Sequence, residues 1–263
     1  MNRKKNPLLL IDADVLAYQS CAGAEKVICF DEDVCTPVCN LSDALAAFDY
    51  KLGFIQETLE STRYLLCFSD DTGNNFRRAL FPAYKANRVG KPKPVALKFL
   101  REHVLNSPDY RTKLVPTLEA DDVLGILATL HSGTPVKTVI VSIDKDLKTI
   151  PGRFFDLGHP EAGVTDISWE NADYWFMVQA IIGDATDGYP GCPKVGPATA
   201  AKLLGAAPEK TVAAMWPIVV QAYAKAGFGE DYALLMARMA RILRAEDYDF
   251  ERKKVKLWVP TAS

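Results

Sequence analysis

A chain of 263 residues can bury one large core or two modest ones. Hydrophobic residues make up 49% and charged residues 24%, which excludes extended disorder, and no apolar run reaches the roughly 18 residues that a membrane span needs. The net charge of −2 hides an asymmetry: residues 72–101 contain no acid, while Arg77, Arg78, Lys85, Arg88, Lys91, Lys93, Lys98 and Arg101 supply eight positive charges, leaving −10 for the remainder. One strongly basic segment in a mildly acidic chain points to a polyanion contacted at a defined place.

In chain order, residues 8–11, 64–68 and 139–141 are short apolar runs followed by acids, Asp12, Asp70 and Asp144. They read as buried parallel strands with polar groups at their C-terminal ends. Helical patterns lie between them at 42–60, with Ser42 as N-cap, at 95–105 and at 118–130. Alternation of this kind predicts an α/β, mostly parallel, doubly wound sheet, whose ligands bind beyond the carboxyl ends of the strands. After residue 166 the pattern becomes helical, at 169–182, 197–204, 211–226 and 230–244, and the tail at 255–259 has strand character that could return to pair with the body. The expected division is an α/β core over 1–165 and a helical part over 166–263. Residues 7–11 are too short for a signal-peptide core, so the expected setting is cytoplasmic, without membrane contact.

The six cysteines include no C-x-x-C pair, and His103, His131 and His159 stand far apart, which argues against zinc. The cysteines are expected as reduced thiols. Any metal must then be held mainly by oxygen.

Three carboxylates, Glu119, Asp121 and Asp122, crowd the first turn of the helix at 118–130. Helix capping accounts for one or two of them, not three. Mutual repulsion within such a group calls for cations. Asp12, Asp70, Asp144, Asp146, Asp184 and Asp187 are expected at the same mouth, nine acids in all. Hard oxygen ligands suit Mg²⁺ or Mn²⁺, and their number points to two ions, which can drive phosphodiester hydrolysis without a nucleophilic side chain. The sequence offers no Ser-His or Cys-His constellation in its place.

Within the basic stretch, residues 81–88 interleave Phe81 and Tyr84 with Lys85 and Arg88. The aromatics can stack on splayed bases or pack in the core; both readings stand at this point. Pro92 and Pro94 interrupt the following helix, so the region should bridge the active site. Further on, residues 190–200 form a glycine-punctuated turn opening a helix, where Gly191, Lys194 and Gly196 could cradle a duplex phosphate, or the turn could be a plain connection.

These segments resemble the structure-specific 5′-nuclease (flap endonuclease) family, which includes the 5′-nuclease domain of bacterial DNA polymerase I and free-standing phage enzymes. The family's acids after the first two strands, its E-A-D-D, S-x-D-x-D and G-D-x-x-D motifs correspond to Asp12, Asp70, Glu119, Asp121, Asp122, Asp144, Asp146, Asp184 and Asp187. Tyr84, Lys85, Asn87 and Arg88 match its Y-K-x-N-R. Residues 145–151, 183–189 and 239–244 are similar to the 5′ to 3′ exonucleases of short-tailed phages. The resemblance implies a PIN-like fold with a basic helical arch over 72–101 and a helix-hairpin-helix over 183–204. It implies a monomeric, metal-dependent 5′ to 3′ exodeoxyribonuclease or flap endonuclease acting on DNA with free 5′ ends or flaps in phage DNA replication or degradation, with RNA-DNA hybrids as a further substrate. Asp12, Asp121, Asp122 and Asp144 would be catalytic metal ligands, with Lys85 and Arg88 engaging the phosphate, and Arg77, Arg78, Tyr84, Lys91 and Lys93 would contact DNA.

Lys194 and Ala198 depart from the family's hairpin pattern, which bears on the K⁺ ion often held there. Gly188 replaces the usual Asn, and Asp71 doubles Asp70. A competing reading takes Asp12-Ala13-Asp14-Val15 as the D-x-D-x-[TV] start of a haloacid-dehalogenase-like phosphatase, and a third is a catalytically inactive DNA-binding protein. Neither gives the E-A-D-D acids work to do.

Overall fold

A computed structural model describes residues 6–31 and 34–260. The chain opens on β1 (Leu8–Asp12), whose Leu9, Leu10 and Ile11 are fully buried, and passes directly into α1 (Ala13–Ala24), capped by the Asp12 carboxylate, which accepts from the Val15 N–H. An exposed two-stranded ribbon, β2 (Lys26–Cys29) with β3 (Cys35–Val38), leads to α2 (Leu41–Thr58). Then come β4 (Tyr64–Phe68), a short α3 (Phe76–Leu80), α4 (Leu97–Asn106), β5 (Thr112–Leu114), α5 (Ala120–Leu130), β6 (Thr138–Ser142), β7 (Gly152–Asp156) and β8 (Val164–Ile167). From α6 (Trp169–Ile182) helices dominate, with α7 (Pro197–Leu204), α8 (Val212–Lys225) and α9 (Glu230–Ala240), before a small hairpin of β9 (Tyr248–Asp249) and β10 (Lys254–Val255).

Among the described residues the main sheet has six strands in the order β5-β4-β1-β6-β7-β8, parallel except for β8. β1 has no polar alternation because both its faces are covered. Leu9 and Ile11 pack on one side with Leu16, Phe48, Ile55 and Leu100 from α1, α2 and α4. Leu10 packs on the other with Val123, Leu124 and Ile126 of α5. The doubly wound sheet expected from the alternating pattern is therefore present. α5 is apolar almost all round and is buried accordingly.

The helical part has its own core, built from Phe176, Ile181, Met215, Trp216, Tyr223 and Met236. Trp258 closes it, edge-on to Phe176 at 5.0 Å and to Trp216 at 5.2 Å. Ile242, Leu243 and Tyr248 instead join the sheet's core beside α5, so the end of the chain returns to the α/β part by packing. It does not add a strand there: the expected 255–259 strand is reduced to Val255 pairing with Tyr248, and of the residues after it Trp258 turns into the helical core while Leu257 and Val259 stay exposed.

Several boundaries differ from those read in the sequence. Asn40, not Ser42, is the N-cap of α2, and α9 stops at Ala240 instead of 244, since residues 241–244 run extended to reach α5. The ribbon carries a Cys29–Cys35 disulfide, against the expectation of reduced thiols; Cys21, Cys39, Cys67 and Cys192 are free. The ribbon brings the two cysteines opposite one another as a strand pair, an adjacency that sequence spacing alone does not reveal. The expected helical arch is mostly turns. Residues 72–96 hold only α3 and one 3-10 turn, Ala86–Arg88, and α4 is a core helix with Leu100 and Val104 buried. Among the described residues no helix is long and apolar enough to cross a membrane.

Candidate active site

At the carboxyl ends of β1 and β6, the first turn of α5 and the α6–α7 connection enclose a cleft of about 900 Å³. Asp12, Glu119, Asp121, Asp144, Asp146, Asp184 and Asp187 line it, together with Lys85 and Arg88. Its position beyond the strand ends is the one doubly wound sheets use for ligands.

The acids strain against one another. Burial, reinforced by Asp144, lifts Asp12 to about 6, although the Val15 N–H and the Ser142 hydroxyl (2.8 Å) hold it down in part. Burial and then the charges of Asp12 and Asp144 push Asp121 well above the usual carboxylate range. Asp146 rises to about 7 through burial, Asp144 and Asp184. Glu119 goes the other way: burial would raise it, but Lys85 Nζ at 2.5 Å, Arg77 at 3.3 Å and the Tyr84 hydroxyl at 2.8 Å keep it below its ordinary value. Burial also lifts Asp187, against the pull of Lys85 and Arg88.

A strap formed by residues 83–88 crosses the cleft and is fastened to its rim. Lys85 N–H donates to the Asp187 carbonyl at 2.7 Å, Asn87 Nδ2 to the Ala185 carbonyl at 3.0 Å, and Arg88 pairs with the Asp187 carboxylate at 2.5 Å. Gly188, at φ +76°, makes this approach possible, since a Cβ there would lie 2.9 Å from the Ala83 carbonyl oxygen. The glycine that departs from the family pattern thus has a local reason.

Four residues expected at the site have other duties. Asp122 is fully buried and forms a two-pronged pair with Arg77, 2.7 Å on each side, while also accepting from the Leu243 N–H. Arg77, 2% exposed, also donates to the carbonyls of Met239 and Arg241 and so is not open to DNA. Asp70 lies outside the cleft lining, and its carboxylate accepts from the backbone of Thr72 and Thr117, which lowers its pKa despite the opposing cost of burial. Tyr84 is 3% exposed, its ring in the helical core and its hydroxyl on Glu119 and Asp187, so it is not placed to stack on a base.

Gly191 is buried as well: at φ +66° it sits back-to-back with Gly183, and a Cβ on it would collide with that backbone. It is not exposed for a phosphate contact. Gly191→Ala is expected to cost about 3 kcal/mol or more of stability, as overpacking against rigid backbone does, read as a drop in thermal midpoint. Lys91, Lys93, Lys194 and Gly196 are exposed, and Arg78 is partly so.

Other contributors carried little sequence signal. Ser142 donates to Asp12, and Ser69 receives the Ala120 N–H. Asp14 accepts from the Ser69 N–H at 2.8 Å and pairs with Arg101, so it is not free to serve as the acid of a phosphatase. Lys145, Lys148 and Trp175 line the cleft too.

Among the described residues, no three His, Cys, Asp or Glu side chains are gathered tightly enough to hold an ion as they stand. The donor set nonetheless fits a hard cation. It is all carboxylate oxygen, and the charge of Asp144 raises Asp12 while Asp12 and Asp144 together raise Asp121, a repulsion that a nearby dication would relieve.

An acidic cleft at the strand ends of a doubly wound sheet, strapped by a lysine and an arginine, suits a hydrolase acting on an anionic ester. Residues 7–153 match the family model of the 5′-3′ exonuclease N-terminal resolvase-like domain. The exodeoxyribonuclease of Enterobacteria phage T3 and the exonuclease of Escherichia phage T7 are each 30% identical to the chain, over 96% of it and 93% of their own lengths. The structure of bacteriophage T5 flap endonuclease with DNA and metal ions superposes with a TM-score of 0.64 at 12% identity, covering 90% of this chain and 89% of that one. The chain belongs to the 5′-3′ exonuclease family and is a nuclease.

Proposed function

We propose that the chain hydrolyses DNA phosphodiesters near free 5′ ends, as a 5′ to 3′ exonuclease that also cuts flaps, in phage DNA replication or degradation in the host cytoplasm. The observation that carries this reading is the meeting of seven of the nine expected carboxylates with Lys85 and Arg88 in one cleft, in a chain whose phage relatives are exonucleases. Asp12, Glu119, Asp121 and Asp144 would hold one Mg²⁺ or Mn²⁺, and Asp146, Asp184 and Asp187 a second. When bound, the ions would supply Lewis-acid stabilisation of charge on the phosphate and the leaving oxygen.

The chain's own residues position and neutralise. Lys85 is kept protonated by Glu119 and Asp187 despite its burial, so it presents a fixed positive charge to the phosphate. Arg88, exposed, adds a second charge at the cleft edge. Lys91, Lys93 and Lys194 are exposed and could follow the DNA backbone sequence-independently. The protein is taken to act as a monomer, with RNA-DNA hybrid as a secondary substrate.

The test is release of label from 5′-labelled duplex and flap DNA in Mg²⁺, abolished by EDTA. Intact substrate in Mg²⁺ and in EDTA alike would reject the reading. Lys85→Ala should weaken both binding and cutting, and the slope of log affinity against log salt should become shallower by about 1.

A further inference from the structure

The aromatic expected to meet bases, Tyr84, is buried; another aromatic in the same cleft is not. Trp175 is 47% exposed and lines the cleft alongside Lys145, Lys148 and Gln179. It lies on the face of α6 opposite to that helix's buried Ala172, Phe176, Met177 and Ala180. Trp175 and Gln179, four residues apart, form a stripe running toward Gly183 and Asp184. Trp175 meets Tyr174 edge-on at 5.8 Å, which fixes its ring while leaving about half of the residue exposed; Trp216 and Trp258 are buried against each other, and Trp169 has the Arg244 guanidinium over its ring at 5.1 Å.

We propose that Trp175 is a stacking platform for a nucleobase of an unpaired DNA strand entering the cleft, with Lys145 and Lys148 holding phosphates beside it. An exposed ring flanked by lysines, on a wall leading to the acids, is the arrangement by which proteins grip single strands without reading sequence. Charge complementarity favours this occupant, since the lysines are the cations on that wall. Trp175 lies seven helical residues before Ile182, which at about 1.5 Å per residue is about 10 Å from the helix end that carries Asp184. Trp175 contributes to holding the strand, not to the bond cleavage itself. The strand's identity as DNA rests on the nuclease reading above.

The experiment uses the full chain and a 5′-phosphorylated oligo(dT), titrated in Ca²⁺ buffer while tryptophan fluorescence is followed. Wild-type emission should be quenched, and Trp175→Phe should remove most of the quench while retaining affinity. Trp175→Ala should weaken binding by about 5- to 160-fold, the range for loss of one stacked base. On a flap substrate in Mg²⁺, the alanine variant should show that loss in KM with kcat unchanged, and phenylalanine should rescue it, which an effect on folding would not produce. Undiminished binding by Trp175→Ala, or a quench that survives in Trp175→Phe, overturns the proposal. Failure of the wild type to cut, with binding and quench intact, rejects the nuclease reading and leaves the strand site standing.

Discussion

Arg77→Met is expected to be among the most destabilising single substitutions on the basic segment, lowering stability by about 3–5 kcal/mol. The side chain removed is a buried cation, and Asp122, fully buried, would keep only the Leu243 and Glu119 backbone N–H groups and lose the charge that balances it. The Met239 and Arg241 carbonyls would also lose donors. At roughly 3 °C per kcal/mol for a chain of this size, calorimetry should show a fall of about 10 °C. Arg77→Met with Asp122→Leu should recover a large part of that loss, because a buried ion pair replaced on both sides by apolar groups is close to neutral. A fall of less than about 3 °C in the single variant would mean that the pair does not organise this junction. The junction ties the base of the strap to the first turn of α5 and to the chain end after α9, so activity should decline along with stability.

That prediction also marks a limit of sequence reading. Arg77 was grouped with seven other cations because they share a segment without acids; its partner lies 45 residues away, and charge runs carry no information about such pairing. For Asp122 a signal was present. Residues 120–129 of α5 are apolar nearly all round, and a helix of that kind leaves little water for position 122 to face. Asp70 was assigned by its place after an apolar strand, which locates the strand end but not the direction of the side chain; the turn at Thr117 claims it.

The sheet was legible where strands are central. β1, β4 and β6 are covered on both faces and read as continuous apolar runs. β5, with three residues, and the β2–β3 ribbon, exposed along its length, lack both length and alternation and had no pattern to read. The strap was legible as a cation-rich segment but not as a closed one. Its fastenings join side chains and carbonyls about a hundred residues apart.

Asp121→Asn should separate the adjacent acids of α5 by giving the opposite sign in stability. Asp121 lines the cleft, and its carboxylate is held against burial and against Asp12 and Asp144. Cutting in Mg²⁺ should fall by at least about a hundredfold, as expected when a ligand to a catalytic cation is neutralised. Stability in EDTA at pH 8 should rise by a few °C. The folded-state pKa of Asp121 lies well above its unfolded value of 3.8, so the folded state binds the proton more tightly and wild-type stability is lost as pH rises from that value through the folded pKa. Asp12 at about 6 and Asp146 at about 7 act in the same direction. The gain from Asn should therefore be largest at pH 8 and nearly absent at pH 4, where the aspartate is protonated in the folded protein. Equal or lower stability of Asp121→Asn at pH 8 would mean that the acids of this cleft do not repel one another, which would remove the physical argument for a cation among them.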